Sequence, residues 1–241
     1  MKRWDRRSLI SGTIAVAGAA GCGISVTYLA TSSKKNLLRP PGALEEKRFL
    51  ASCIKCGQCI QVCPFHSLKL LDLSAGIDMG TPVIDPLQRG CYLCDLFPCI
   101  LCCPSGALDP QVREISDVHM GVAWIHDIEK CWARKQKRVS KRVLENIVEH
   151  GNKTELEQTF NQKLLKQTDT VCHLCEQLCP IPENDRASAI RIENDIPKIG
   201  AKCVGCGVCA EVCPETIIEI KARRNFNELY GNETANKTEL L

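Results

Sequence analysis

"CIKCGQCIQVCP", residues 53 to 64, places four cysteines in eleven positions and ends in proline. The run reads C-x2-C-x2-C-x3-C-P, the spacing of a bacterial-type ferredoxin motif. Three thiolates at two-residue intervals can wrap one iron–sulfur cube, with glycine letting the backbone come close. The fourth cysteine follows one helical turn later, too far along to close the same cube, and ligates a neighbouring cluster instead. Proline then stops the turn and sends the chain away extended. A chain built on this motif needs a second one to complete it.

Three more groups follow. "CYLCDLFPCILCCP" widens one interval, with Cys91, Cys94, Cys99 and Cys103 before Pro104. "CVGCGVCAEVCP" repeats the first spacing with Cys203, Cys206, Cys209 and Cys213 before Pro214. "CHLCEQLCP" supplies only Cys172, Cys175 and Cys179 before Pro180, and its missing first member is assigned to Cys131, far upstream. With Cys53, Cys56, Cys59 and Cys63, sixteen of the eighteen cysteines fall into four groups of four. They predict four 4Fe-4S clusters, with the same sixteen cysteines binding the iron. Gly57, Gly205 and Gly207 are the expected close-approach glycines. Cys22 and Cys102 are left over; Cys102 could stand in for Cys103, but Cys103 keeps both the C-x3-C interval and the adjacent proline.

Two other uses of cysteine fit less well. A disulfide scaffold spreads its cysteines so that bridges close loops. Zinc sites usually join two cysteine pairs across a longer loop; they do not repeat a third cysteine and a C-x3-C-P end. Which groups exchange their fourth cysteine stays open. Neighbours would join Cys53, Cys56 and Cys59 with Cys103, and Cys91, Cys94 and Cys99 with Cys63. In the second half Cys131, Cys172 and Cys175 would take Cys213, and Cys203, Cys206 and Cys209 would take Cys179. Otherwise the outer groups pair with each other and the inner groups likewise.

Aromatic residues make up only 5% of the 241, too few to build a core from side chains alone. The net charge of +3 is matched by Lys2, Arg3, Arg6 and Arg7 against Asp5, which leaves the remainder near neutral and argues against a nucleic-acid partner. The expected fold class is α+β: duplicated bacterial ferredoxin-like modules organised around four iron–sulfur clusters. In each, "ASCIKCGQCIQVCPFHSLKLLDL" and "GAKCVGCGVCAEVCPETIIEIKA" read as strand, cluster loop, short helix and strand. The expected organisation is a signal or anchor over 1–33, a Pro-containing lead-in over 34–48, modules over 49–128 and 129–224, and a loose polar tail over 225–241.

Arg6-Arg7, then Ser8-Leu9-Ile10 and an uncharged run to about Ala30, form a twin-arginine export pattern. The physical logic is that a chain carrying inserted clusters folds before it crosses a membrane. The expected location is the periplasmic face of the inner membrane, with the leader retained, cleaved or acylated at Cys22. Residues 132–171 interrupt the third group. Val139, Val143, Leu144, Ile147 and Val148 recur there at helical intervals, after a positive stretch of Arg134, Lys135, Lys137, Arg138, Lys141 and Arg142. The segment reads as a solvated excursion, or as a dock for an acidic redox partner. His66, His119, His126, His150 and His173 form no ligand-spaced set.

With every grouped cysteine used as a ligand, each cube would be coordinatively full. No nucleotide loop, flavin fingerprint or nucleophile arrangement accompanies the groups. The expectation is an electron carrier, not an enzyme, with no catalytic residue.

"RPPGA" at 39–43, "AGIDMGTP" at 75–82, "MGVAWI" at 120–125 and the first, second and fourth cysteine runs together resemble the NapG/MauM family of ferredoxin-type proteins, on the NapG side. The resemblance runs from the leader to about residue 222. It implies that the sixteen grouped cysteines are cluster ligands. It also implies a polytopic iron–sulfur membrane partner that oxidises quinol, and a periplasmic cytochrome or nitrate reductase downstream. The segment between Cys131 and Cys172 departs from the family's short gap.

Overall fold

Left-handed residues punctuate the cysteine groups at fixed offsets. In the computed structural model, which describes residues 36–148 and 154–235, Lys55, Leu93 and Gly205 stand two positions after the first cysteine of their groups with φ of 58°, 50° and 72°. His66, Gly106 and Thr216 stand three positions after the last cysteine with φ of 51°, 66° and 49°. Groups one, two and four therefore share one backbone path. Four of these six residues, Lys55, Leu93, His66 and Thr216, are not glycine and hold a conformation costing about 1–2 kcal/mol each. At Gly205 conformation and space act together: a Cβ would lie 2.4 Å from the backbone of Gly121. Gly57 has φ 74° and open space around it, so its requirement is conformational alone.

The elements are short and mixed. In chain order they are α1 Glu46–Ser52, α2 Gln58–Gln61, β1 Leu68–Leu70, β2 Pro82–Ile84, α3 Pro98–Leu101, β3 Gly121–Ile125, α4 Lys141–Val148, α5 Glu155–Leu165, α6 Leu174–Gln177, α7 Glu183–Arg186, β4 Ile190–Glu193, β5 Ile196–Ile199, α8 Val208–Glu211, β6 Ile218–Ala222 and α9 Phe226–Ala235. Among the described residues no helix is long and apolar enough to cross a membrane. The twin-arginine leader, Cys22 and His150 lie outside the described residues.

Leu71–Gly80 belongs to a unit separate from the rest. Within it a 3-10 stretch, Leu73–Asp78, starts where the Asp72 side chain accepts from the Ser74 N–H, and bends at Gly76 (φ 60°). All the grouped cysteines lie in the other unit, together with three antiparallel two-stranded sheets. β1 pairs with β2, Leu68 opposite Ile84. β4 and β5 form a hairpin whose two central residues, Asn194 and Asp195, are both left-handed, as a tight hairpin turn requires. β3 pairs with β6, Ile125 opposite Ile218, so a strand following group two is hydrogen-bonded to the strand following group four.

Two expectations fail locally. The segment before group one is helix, not strand. "EKRFLAS" carries good helix formers, Glu45 caps α1 by accepting from the Lys47 N–H, and Phe49 is fully buried. Arg39 anchors the lead-in to this helix: it is bonded to Glu46 at 2.5 Å and to the Thr81 hydroxyl at 2.7 Å, and lies 4.8 Å over the Phe49 ring. Nor does the polar tail begin loose. α9 occupies its first half, with Phe226 stacked on Tyr230 and the Tyr230 hydroxyl donating to the Ala123 carbonyl at 2.9 Å.

The segment 132–171 is anchored by its second helix. At the start of α5 Thr154 and Glu157 form a reciprocal capping box, and the Thr154 hydroxyl donates to the Pro64 carbonyl at 2.7 Å. Glu157, fully buried, also accepts from Arg89 at 3.3 Å and meets His66 at 3.1 Å. Arg89 in turn reaches Glu211 at 3.0 Å and the Phe65 carbonyl at 3.1 Å. Glu211 closes the network by accepting from the Gly90 N–H and the Tyr92 hydroxyl. Beside it Phe65 stacks on Tyr92 at 4.2 Å, and Phe160 meets Tyr92 edge-on at 4.5 Å. Leu144 and Leu164 are fully buried, while the basic residues from Arg134 to Arg142 are exposed. The solvated-excursion reading therefore holds for the basic face and fails for α5.

Arg89 is the hub of this network, and removing it leaves two buried carboxylates facing each other. Arg89→Ala is expected to cost about 3–5 kcal/mol in anaerobic urea unfolding. Lys202→Ala, which breaks only the half-exposed pair with Asp185, should stay within about 1 kcal/mol. For the left-handed glycines, Gly57→Ala should lose about 1–2 kcal/mol and Gly205→Ala clearly more, because a methyl there also meets the Gly121 backbone.

Candidate iron–sulfur centres

In groups one, two and four a left-handed turn follows the first cysteine, and the short helix after it carries the last one away. This divergence decides where each thiol goes. Cys63 lines a cavity with Cys91, Cys94 and Cys99; we term this site B. Cys179 lines one with Cys203, Cys206 and Cys209, site C. Cys213 lines one with Cys131, Cys172 and Cys175, site D. The three cavities are small and alike, about 20 Å³ each, so they are three copies of one kind of space. Site A gathers the remaining set: the Cys59 thiol is pushed up to about 12 by burial and by the charges of Cys102, Cys53, Cys56 and Cys103.

Each of sites B, C and D thus holds three thiols of one group and the fourth of its neighbour. That is the neighbouring exchange; none of these three cavities mixes an outer group with the other outer group. Cys131 stands with Cys172 and Cys175 despite the long segment between them. Two contacts restore its place: the Trp132 indole N–H donates to Glu215 at 2.5 Å, and the Cys172 N–H donates to the Lys137 carbonyl at 3.1 Å. Cys102, the spare thiol, is half-buried, points its sulfur at the Cys99 carbonyl at 3.4 Å and faces Cys56 and Cys103.

The electrostatics of the thiols show what would fit among them. Burial pushes Cys91 up to about 12, and Cys94, Cys172 and Cys179 up to about 11. Cys99, Cys175, Cys206 and Cys209 are driven higher still, by burial first and then by neighbouring thiolates. A set of four thiolates at such a site is stable only around a positive centre. The backbone supplies part of the compensation. The Ser67 N–H donates to Cys63 at 3.4 Å and the Ala123 N–H to Cys203 at 3.5 Å. Burial raises Cys213, while the Ile217, Glu215 and Thr216 backbone groups oppose it. At Cys103 burial is outweighed by the Leu108, Ser105 and Ala107 backbone groups and the Ser105 hydroxyl, and the thiol ends below its ordinary value. The turn after each C-P step thus stabilises the thiolate that has crossed to the next group. Among the described residues no three His, Cys, Asp or Glu side chains meet closely enough to hold one metal ion; the thiols surround spaces instead of converging on a point. Four sulfurs around a space, with amide N–H groups aimed at them, fit a cubic iron–sulfur core.

Arg89, Glu157 and Glu211, which brace these loops, carry no local signal in the sequence, being brought together from positions far apart. His66 is the histidine that joins them. His173 stands at the N-terminal boundary of α6 without a side-chain capping bond and lies 3.6 Å from Glu176.

Residues 52–107 match the 4Fe-4S dicluster domain family, and residues 197–219 match the 4Fe-4S binding domain family. The chain is 30% identical to the ferredoxin-type protein NapG of Escherichia coli, over 86% of this chain and 80% of that one. It is 32% identical to the methylamine utilization ferredoxin-type protein MauM of Paracoccus denitrificans, over 88% and 84%. It is 34% identical to NapG of Haemophilus influenzae, over 86% and 67%. No solved structure matches. With two ferredoxin-type iron–sulfur domains and this similarity along most of its length, the chain belongs to the NapG/MauM family of ferredoxin-type proteins.

Proposed function

We propose that the chain carries four 4Fe-4S clusters, one at each of sites A to D, and serves as an electron carrier subunit without a substrate site of its own. The observation that carries this reading is the thiol arrangement: three cavities of one kind, each lined by four cysteines, and a fourth set around Cys59. A bound 4Fe-4S core supplies reversible one-electron storage, at a potential set by net charge, hydrogen bonds to sulfur and solvent access. The chain's own part is to fix those settings. Ser67, Ala123 and the turns after Pro104 and Pro214 direct N–H groups at the sulfurs. Buried Phe97, Val204 and Ile217 line the cavities and limit water.

The proposed route runs from a polytopic, quinol-oxidising iron–sulfur membrane protein, through this chain, to periplasmic nitrate reductase directly or by way of a cytochrome. The family and the twin-arginine pattern at Arg6-Arg7 support a place on the periplasmic face of the inner membrane. The similarity to MauM, equal in extent to that with NapG, supports a second reading in which the chain serves another periplasmic oxidoreductase, such as a methylamine-oxidising system.

The test uses anaerobic membranes containing the chain and its partners, against membranes lacking only this chain. Menaquinol should bleach the broad visible iron–sulfur absorbance in a chain-dependent way, and nitrate with its reductase should restore it. Bleaching indifferent to nitrate would leave the carrier and discard the acceptor. Bleaching by dithionite but not by quinol would discard the route in favour of an assembly role with structural clusters. A separate expectation concerns the ligands. Iron analysis of the purified chain should give about sixteen irons, four per site, and Cys63→Ser should abolish the same EPR signal as Cys94→Ser. Loss of the signal abolished by Cys206→Ser instead would refute the neighbouring exchange.

A further inference from the structure

We infer that the four sites lie in the order A–B–C–D, joined across the middle by a direct backbone contact between Cys91 and Cys206, so that the fourth cysteine group builds an inner site and the third an outer one. The inference rests on the assignment of clusters to these thiol sets and goes beyond it, because that assignment leaves the spatial order of the sites free.

The two outer steps follow from the exchange of cysteines. Sites A and B share both of their groups: Cys99 of site B lies on α3 and Cys103 of site A follows two residues after its end. Sites C and D share theirs in the same way, with α6 packed on α8. The middle step is not dictated by any motif. The Cys91 N–H donates to the Cys206 carbonyl at 2.7 Å, so the backbone of a site B cysteine touches that of a site C cysteine. The approach needs glycine on both sides. A Cβ at Gly90 would stand 2.5 Å from the Val208 nitrogen and 2.7 Å from the Gly207 carbonyl carbon; one at Gly207 would stand 2.9 Å from Pro86. Arg89 and Glu211, paired at 3.0 Å, and the Gly90 N–H on Glu211 at 2.7 Å pin the same two loops together from the buried side. A cavity of about 520 Å³ has Cys94 of site B and Cys203 of site C among its lining residues. Sequence order would have put site D in the middle. Its own contacts instead lead to the segment 132–171 and to β6.

The test is EPR of the full-length chain, purified anaerobically and reduced stepwise, read through the magnetic coupling between reduced clusters. Removing the site B cluster with Cys94→Ala should sharpen the signals of both A and C and leave D unchanged. Removing the site A cluster with Cys59→Ala should sharpen B alone. Gly90→Ala should keep about sixteen irons and lose the coupling between B and C. If that variant does not fold, the two cysteine variants decide. A change at D, and none at C, on removing the site B cluster would overturn the order, as would a change at C or D on removing the site A cluster. A chain with fewer than four clusters, or one inert to quinol, would show in the iron count or in the bleaching. That would count against the proposed function, whereas the coupling pattern among the clusters present judges the order.

Discussion

A thiolate buried beside other thiolates is unstable on its own, and this chain buries such sets at sites B, C and D. Sites B, C and D combine loss of water around sulfur with repulsion between sulfurs, which is why Cys99, Cys175, Cys206 and Cys209 are driven so far upward. The remedy available to the fold is a positive centre and amide N–H groups, and the architecture serves to bring those together. Left-handed residues at Lys55, Leu93 and Gly205 turn the loops inward; the short helices deliver each last cysteine to the neighbouring loop; the turn after proline meets it with N–H groups. Helices and sheets are small because they have little else to do. The 5% aromatic content reflects the same constraint, since the centre of the molecule is sulfur-lined and the few stacked rings sit beside it.

Much of this was legible in local spacing. The grouping of sixteen cysteines depends on intervals of two to four residues, and those intervals are fixed by the reach of a loop and one helical turn. Cys131 was legible only by counting, because the contacts that return it to Cys172 span Trp132, Lys137 and Glu215. The exchange between groups was not legible: it depends on how loops pack, and either pairing satisfies the same spacing. The glycines were half legible. The close approach at Gly205 and Gly207 followed from their place in the motif, but the left-handed Lys55 and Leu93 show that the path, not the residue, is what repeats. The strand expected before group one became a helix because Arg39 and Phe49 make a better local packing solution than an unpaired edge would.

The segment 132–171 shows how charge can mislead. A net excess of basic residues suggested a separate surface element, and its exposed first half is one. Its second helix instead supplies Glu157 to a buried network that also holds Arg89, Glu211 and Tyr92. Here a single carboxylate caps its own helix and braces the loops of two cysteine groups. Basic composition describes the outside of this segment and says nothing of the one acidic residue that fixes it.

The crossing of each fourth cysteine has a bearing on synthesis. As the chain emerges, the thiol set of site B is complete at residue 99 and that of site A at residue 103. The next set to close, site C, waits for residue 209, and site D for residue 213. Between those points more than a hundred residues of chain are made without completing a set, and Cys131, Cys172, Cys175 and Cys179 wait for partners that come later in the chain. The proposed clusters can therefore be loaded in two bursts, the second only after residue 209. A truncated chain would keep its first pair of sites intact and lose the other pair together, so that half-built molecules come in one kind only.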